Sequence, residues 1–198
     1  MKRFLSYFLI VPLLCSCVKD FSEDIHGVNV YDDTFKGDPY VDPAFAKYCL
    51  EAFDGSADGI KDGILQEVEI RNVRTIDCSG LGIASLVGIE KFSSLDTLIC
   101  RDNSLIVFDV TYLPSLKYLD CSGNAISELN VSCSDISTLF CCPMTDAAGR
   151  NVLGYLYIRR GQEIEYITSD RDKADPKRIP DETMIIAIPE SKDGEGLD

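Results

Sequence analysis

A cysteine returns every 20 to 22 residues inside a repeated apolar frame. The stretches are Val73-Arg-Thr-Ile-Asp-Cys78, Leu95-Asp-Thr-Leu-Ile-Cys100, Leu116-Lys-Tyr-Leu-Asp-Cys121 and Ile136-Ser-Thr-Leu-Phe-Cys141. Each reads apolar-x-x-apolar-x-Cys. Units of one pattern at one period describe a solenoid, in which each unit buries its apolar edge only against its neighbours. Such a chain presents a surface more readily than a reaction centre.

The frame runs on past each cysteine. Leu81, Asn103, Asn124 and Met144 stand three residues further, then Ile83, Leu105 and Ile126, then Leu86, Phe108 and Leu129. Val110 and Val131 complete the second and third units. The alternating segment predicts a short strand whose side chains point to opposite faces in turn. Stacked units would place these strands side by side in a parallel sheet, with the apolar positions and the cysteines inward. Asn103 and Asn124 fall where the chain leaves the strand, and an amide there can bond turn groups that no ladder reaches. The first and fourth units, with Leu81 and Met144 at that place, read as degraded terminal repeats.

The repeat resembles the leucine-rich repeat, LxxLxLxxNxL, with Cys in place of the third Leu. The resemblance extends over residues 73–160. It is nearest to the short, roughly 21-residue, cysteine-bearing repeats of Bacteroides-type surface proteins and to internalin-like repeats. It implies an α/β fold: a right-handed leucine-rich-repeat solenoid with a parallel concave sheet, a small N-terminal helical cap and a C-terminal β cap. It also implies a module that binds protein or mediates adhesion through its concave face. A glycan-capturing or structural accessory protein is the alternative.

The cysteine column could be a metal site, a disulfide set or a core ladder. Zinc sites usually show Cys pairs two to four residues apart, and the column has none. In-register parallel Cβ vectors suit a disulfide poorly. The expectation is a ladder of small, buried, free thiols. Cys49, Cys133 and Cys142 lie off the column.

The first residues carry a different signal. Lys2 and Arg3 precede an apolar run from Phe4 to Leu14, then Cys15-Ser-Cys17. The run is too short to span a membrane and reads as a secretory leader, residues 1–16. The end resembles a bacterial lipobox, with Cys17 as the lipidated residue. Acyl chains at one site would anchor the chain, each buried CH₂ contributing about 0.8 kcal/mol. Residues 17–41 are acidic and broken by Gly and Pro, and read as a flexible tether. Lys19-Asp20 beside the lipid site is similar to export signals of Bacteroides lipoproteins, which points to an outer-membrane lipoprotein exposed at the cell surface.

Charge narrows the partners. Loss of the leader removes Lys2 and Arg3, leaving 17 basic and 33 acidic residues, a formal net charge of −16. Such a chain repels phosphate backbones, which excludes nucleic acid. It meets a membrane only through its N-terminal lipid. Its oligomeric state is not set by these features.

Residues 42–72 read as a helical cap. Asp42 can N-cap a helix with Pro43 at its first position, and Phe45, Tyr48, Cys49 and Ala52 fall on one face. The segment after it resembles the start of an EF-hand or dockerin-like calcium loop. Asp54, Ser56 and Asp58 fall at positions 1, 3 and 5, Gly59 at 6 and Asp62 at 9. Position 12, which should be a bidentate acid, is Leu65. The expectation is a Gly-rich turn between two capping helices, with calcium as the weaker reading and no other cofactor.

On the expected concave face the outward residues include Ile99, Arg101, Tyr118, Asp120 and Phe140. A fifth strand, Tyr155–Ile158, would add Tyr155 and Tyr157. Exposed aromatics suit protein and carbohydrate surfaces. Cross-strand pairing that stabilises the sheet explains the same residues. Residues 161–190 read as a β cap, with strands at 163–167 and 183–188, and 191–198 as a disordered tail. Catalysis is not expected. The one histidine, His26, lies in the tether, so the repeats lack the base of a Ser–His or Cys–His arrangement. Neither GxxxxGK nor GxGxxG occurs.

Overall fold

The structure is a computed structural model that describes residues 41–57, 59–150, 152–166 and 183–188. The leader, Cys17, the tether with His26, Asp58 and the tail lie outside the described residues. Among those described, no helix is long and apolar enough to cross a membrane.

The chain is an α/β leucine-rich-repeat solenoid. Helix α1 (Pro43–Phe53) and the short α2 (Glu67–Ile70) precede eight short strands. These are β1 (Thr75–Asp77), β2 (Thr97–Ile99), β3 (Tyr118–Asp120), β4 (Glu128–Asn130), β5 (Thr138–Phe140), β6 (Tyr155–Arg159), β7 (Glu165–Tyr166) and β8 (Met184–Ile188). One sheet has the order β1-β2-β3-β5-β7 and the other β4-β6-β8, parallel throughout. Thr75, Thr97, Tyr118, Thr138 and Glu165 stand in register across the first.

Each unit therefore contains a strand and a return segment. The return segments share a frame of their own: Leu105-x-x-Phe108-x-Val110, Ile126-x-x-Leu129-x-Val131 and Leu153-x-x-Leu156-x-Ile158. Asp109 bridges Asn130, and Leu129 pairs with Leu156. This overturns the reading of Tyr155–Ile158 as the fifth strand of the repeat sheet. That segment has the apolar spacing of a strand but no cysteine, and it is the return segment of the fourth unit. The fifth strand of the repeat sheet is β7, which pairs with β5. β8 extends the second sheet beside β6 and does not close the first.

Ile76, Leu98, Leu119 and Leu139 are buried at the centres of their strands, and Leu105, Ile126, Leu129 and Leu156 fill the return side. The asparagines bond between units. Asn103 Oδ1 accepts the N–H groups of Leu81 and Ile83, both at 3.0 Å, in the unit before its own. Its Nδ2 donates to the carbonyls of Cys78 at 2.9 Å and Cys100 at 3.0 Å. Gln162 caps the fourth turn similarly, donating to the carbonyls of Ser134 and Ile136 at 3.1 Å.

Helix α1 seals the first unit. Asp42 Oδ1 accepts from the N–H groups of Ala44 and Phe45, while its Oδ2 accepts from Ala84 N–H at 2.9 Å. One carboxylate thus caps the helix and fastens it to the solenoid. Phe45, Ala46 and Cys49 are buried and Tyr48 is half-buried. Ala52, expected on the inner face, is exposed, and Ala46 takes the buried place.

Candidate functional site

The outward face of the five-stranded sheet is built in rows by the strand register. Asp77, Ile99, Asp120 and Phe140 form one row. Thr97, Tyr118 and Thr138 form the row before it. Ile99, Tyr118 and Phe140 are half-buried, and the Tyr118 and Phe140 rings lie 5.5 Å apart at 42°. These residues make one apolar and aromatic strip over neighbouring strands.

The polar members behave differently from one another. Asp77 Oδ1 accepts from Ser79 Oγ at 2.6 Å and from Ser79 N–H. Asp120 does the same with Ser122, also with Oγ at 2.6 Å. Asp120 is only 2% exposed. Its outward register holds, but the expectation that it is a ligand contact is corrected: set between Ile99 and Phe140 and turned onto Ser122, its carboxylate is covered and part of the sheet. Arg101 is half-buried, and its Nε is buried with no hydrogen-bond partner. A guanidinium in that state, beside an aromatic strip on an acidic protein, can take an anionic group together with an apolar one.

Tyr155 and Tyr157 do not join this strip. They lie on β6 in the second sheet, with rings stacked at 6.3 Å and 27°. Burial, with the nearby Glu128 carboxylate a lesser cause, raises the Tyr157 hydroxyl above its ordinary value. The five aromatic and apolar residues read as one stripe are thus two separate groups on two sheets.

Behind the strip runs the cysteine ladder. Cys49, Cys78, Cys100, Cys121, Cys141 and Cys142 are buried free thiols. Cys49, which the sequence spacing leaves off the column, sits buried on α1 near enough to Cys78 to feel its charge, and so extends the ladder into the cap. Burial raises the Cys78 thiol to about 12, and burial likewise pushes up Cys49, Cys100 and Cys121. The hydrogen bond between the adjacent Cys141 and Cys142 raises the first and lowers the second. Neutral thiols in this setting act as small apolar groups. Tyr48 closes the ladder's end of the sheet: its hydroxyl accepts from Asp77 N–H at 3.2 Å. Burial raises that hydroxyl to about 12.

The loop between the two capping helices holds the remaining candidates. Asp54 is buried, and its Oδ2 accepts from Gly63 N–H at 2.9 Å. Ser56 is exposed and donates through Oγ to the Glu69 carbonyl. Asp62 is exposed, and its Oδ1 accepts from Ile64 N–H. Leu65 is buried in the core. Among the described residues no three His, Cys, Asp or Glu side chains converge on one point. Glu69, which the spacing from Asp54 misses, is buried and closes the loop, accepting from Gly55 N–H at 2.5 Å and Gln66 N–H at 2.9 Å.

No family model matches the chain, and no curated relative matches it. Similar solved structures are internalins of Listeria monocytogenes. Internalin C2 is 19% identical, with 64% of each chain covered and a TM-score of 0.39. InlF is 18% identical, with 64% of this chain and 44% of that one covered and a TM-score of 0.40. A structure described as the functional domain of InlJ, including a cysteine ladder, is 19% identical. There 66% of this chain and 38% of that one are covered, with a TM-score of 0.33. The match thus spans 64% of the length of internalin C2 and under half of the other two.

Proposed function

We propose that this protein is a non-enzymatic binding module, held at the bacterial cell envelope by a lipid on Cys17, that engages a protein partner through the outward face of its five-stranded sheet. The observation that carries this reading is the Ile99–Tyr118–Phe140 strip beside Arg101, whose buried Nε has no partner. A desolvated donor without an acceptor costs about 1–3 kcal/mol, and a partner that supplies an acceptor removes that cost. Aromatic rings beside an arginine are the composition of interface centres. The lipobox-like Leu14-Cys-Ser-Cys17 and the acidic tether support an outer-membrane lipoprotein facing outward.

Two measurements test this. Protease shaving of intact cells removes the protein if it faces outward and spares it if it faces the periplasm. Capture of surface proteins on the immobilised chain is then compared with capture on a Tyr118→Ala/Phe140→Ala variant. Loss of capture in a variant that keeps its circular dichroism and melting temperature supports the interface. Equal capture sinks it.

The stacked Tyr155–Tyr157 pair favours a second reading, glycan capture on the other sheet. Tyr155 is 41% exposed, and a stacked, partly open ring pair suits a sugar face. A glycan array with a Tyr155→Ala/Tyr157→Ala variant separates the two.

A further inference from the structure

The second sheet ends on β8, and its core column ends there too. Leu129, Leu156 and Ile185 stand in register on the inward face of β4, β6 and β8. The first two are at 0% exposure, and Ile185 is 45% exposed. A solenoid unit buries its apolar edge only against its neighbours. Among the described residues Ile185 has the neighbour before it and lacks the one after. On the outward face Met184 is 58% exposed. β8 reads Met184-Ile-Ile-Ala-Ile188 and bears no charge, on a chain whose formal net charge is −14.

The backbone of β8 is bonded on one side. Met184 donates its N–H to the Gly154 carbonyl, and the Ile188 carbonyl accepts from the Arg160 N–H, both at 2.8 Å. Alternate residues of a strand turn N–H and C=O to the same side, so Met184, Ile186 and Ile188 face β6. Ile185 and Ala187 turn theirs to the outer edge, where no strand lies among the described residues. An uncharged, unpaired edge of this kind is a template for another strand. The stretches 167–182 and 189–198 carry only isolated apolar residues among charges, glycines and prolines, a composition that suits neither to that place.

The two open residues are placed symmetrically about Ile186. A two-fold axis through that point, perpendicular to the sheet, sets a second β8 antiparallel to the first. Ile185 of each copy then faces Ala187 of the other, and each such pair exchanges two N–H···O=C bonds. Every outer-edge donor and acceptor of Ile185 and Ala187 is met in this way. The inward column continues across the axis, the large Ile185 beside the small Ala187. Outward, Ile186 meets its own copy and Met184 meets Ile188. Such an isologous contact closes on itself, and it brings no charged side chain of either strand together.

We propose that β8 is a self-association edge, through which two copies join their second sheets into one six-stranded sheet, β4-β6-β8-β8-β6-β4. The proposal rests on neither function argued above. The acidic surfaces of two copies repel, and salt screens that repulsion, so the dimer tightens as ionic strength rises.

The test is sedimentation equilibrium of the full chain over a concentration series, at low and high salt, beside Ala187→Pro. Proline at that position removes an outer-edge N–H and keeps every bond to β6. The unaltered chain should show a monomer–dimer equilibrium that tightens with salt. Ala187→Pro should weaken it at least about tenfold and keep the melting temperature of the monomer. A second readout fixes the register. In Ile186→Cys the two new thiols stand on Cα atoms about 4.5 Å apart, within reach of a disulfide. Mild oxidation should give a covalent dimer whose linked peptide joins position 186 to 186. A monomer at every concentration and at both salts overturns the proposal and leaves the edge to a strand of another protein. So does a dimer unchanged in Ala187→Pro, or an oxidised Ile186→Cys with no such link. If Ala187→Pro does not fold, the cross-link decides the matter.

Discussion

The Asn124 side chain closes the turn at Leu105 in the preceding unit: its Oδ1 accepts the Leu105 N–H at 3.0 Å. Its Nδ2 donates to the carbonyls of Cys100 at 3.0 Å and Cys121 at 2.9 Å. Asn124 is buried, so no water replaces these bonds. Asn124→Leu leaves one donor and two acceptors unsatisfied in the interior. It should destabilise the chain by roughly 2–4 kcal/mol, read as a drop in the denaturant midpoint. Asn130→Ala, half-buried and bonded to Ser132 within its own turn, should cost about 1 kcal/mol. Equal effects at the two positions would contradict the account of Asn124 as a bond between units.

The ladder thiols set the alkaline limit of stability. Cys78 is raised from 9.0 to about 12, and burial raises Cys49, Cys100 and Cys121 as well. A thiol held protonated in the native state ionises first in the unfolded chain. The unfolded chain then binds fewer protons, so stability falls as pH rises. The contribution is complete below the ordinary value of 9.0 and is lost from there towards 12 for Cys78. Each such thiol adds a slope of about 1.4 kcal/mol per pH unit within its window. Melting curves should fall from pH 9 upward, and less steeply in Cys78→Ala. An identical slope would remove the thiols as the cause.

Asp42 joins the cap to the repeats through a single carboxylate. Asp42→Ala removes the helix N-cap and the bond to Ala84 N–H. The cost should be about 1–2 kcal/mol. Hydrogen exchange should rise in α1 while the amides of β3 and β5 stay protected. Uniform loss of protection over the whole chain would mean that cap and repeats unfold as one unit.

The two aromatic groups should separate by function. Loss of the Tyr118–Phe140 pair should cost only about 0.5–1.5 kcal/mol of stability while abolishing capture of a protein partner. Tyr155→Ala/Tyr157→Ala should leave that capture intact. Binding lost equally in both variants would argue for a general loss of structure, which their melting temperatures would reveal.

Much of the fold is local information. The spacing apolar-x-x-apolar-x-Cys places Ile76, Leu98, Leu119 and Leu139 inside before any coordinates are known, because a strand alternates faces wherever it packs. Asp42 before Pro43 marks a helix start by the same local logic. Tyr155–Ile158 resists this reading. Its apolar spacing matches that of a strand of the repeat sheet, and only the partner it pairs with, β4, shows that it lies on the return side. The missing cysteine was the available signal. The loop at Asp54 resists it for a related reason: counting residues assumes a fixed loop length, and the acid that closes this loop is Glu69.

The sequence by itself determined the period and the inward column, since each follows from residues a few positions apart. Only the tertiary structure decided which strands share a sheet, that Cys49 continues the ladder, that Asp120 is buried and Arg101 half-buried, and that Glu69 closes the loop at Gly55. Those outcomes depend on what stands beside a residue one unit away or across a loop, where backbone pairing and excluded solvent set the energies.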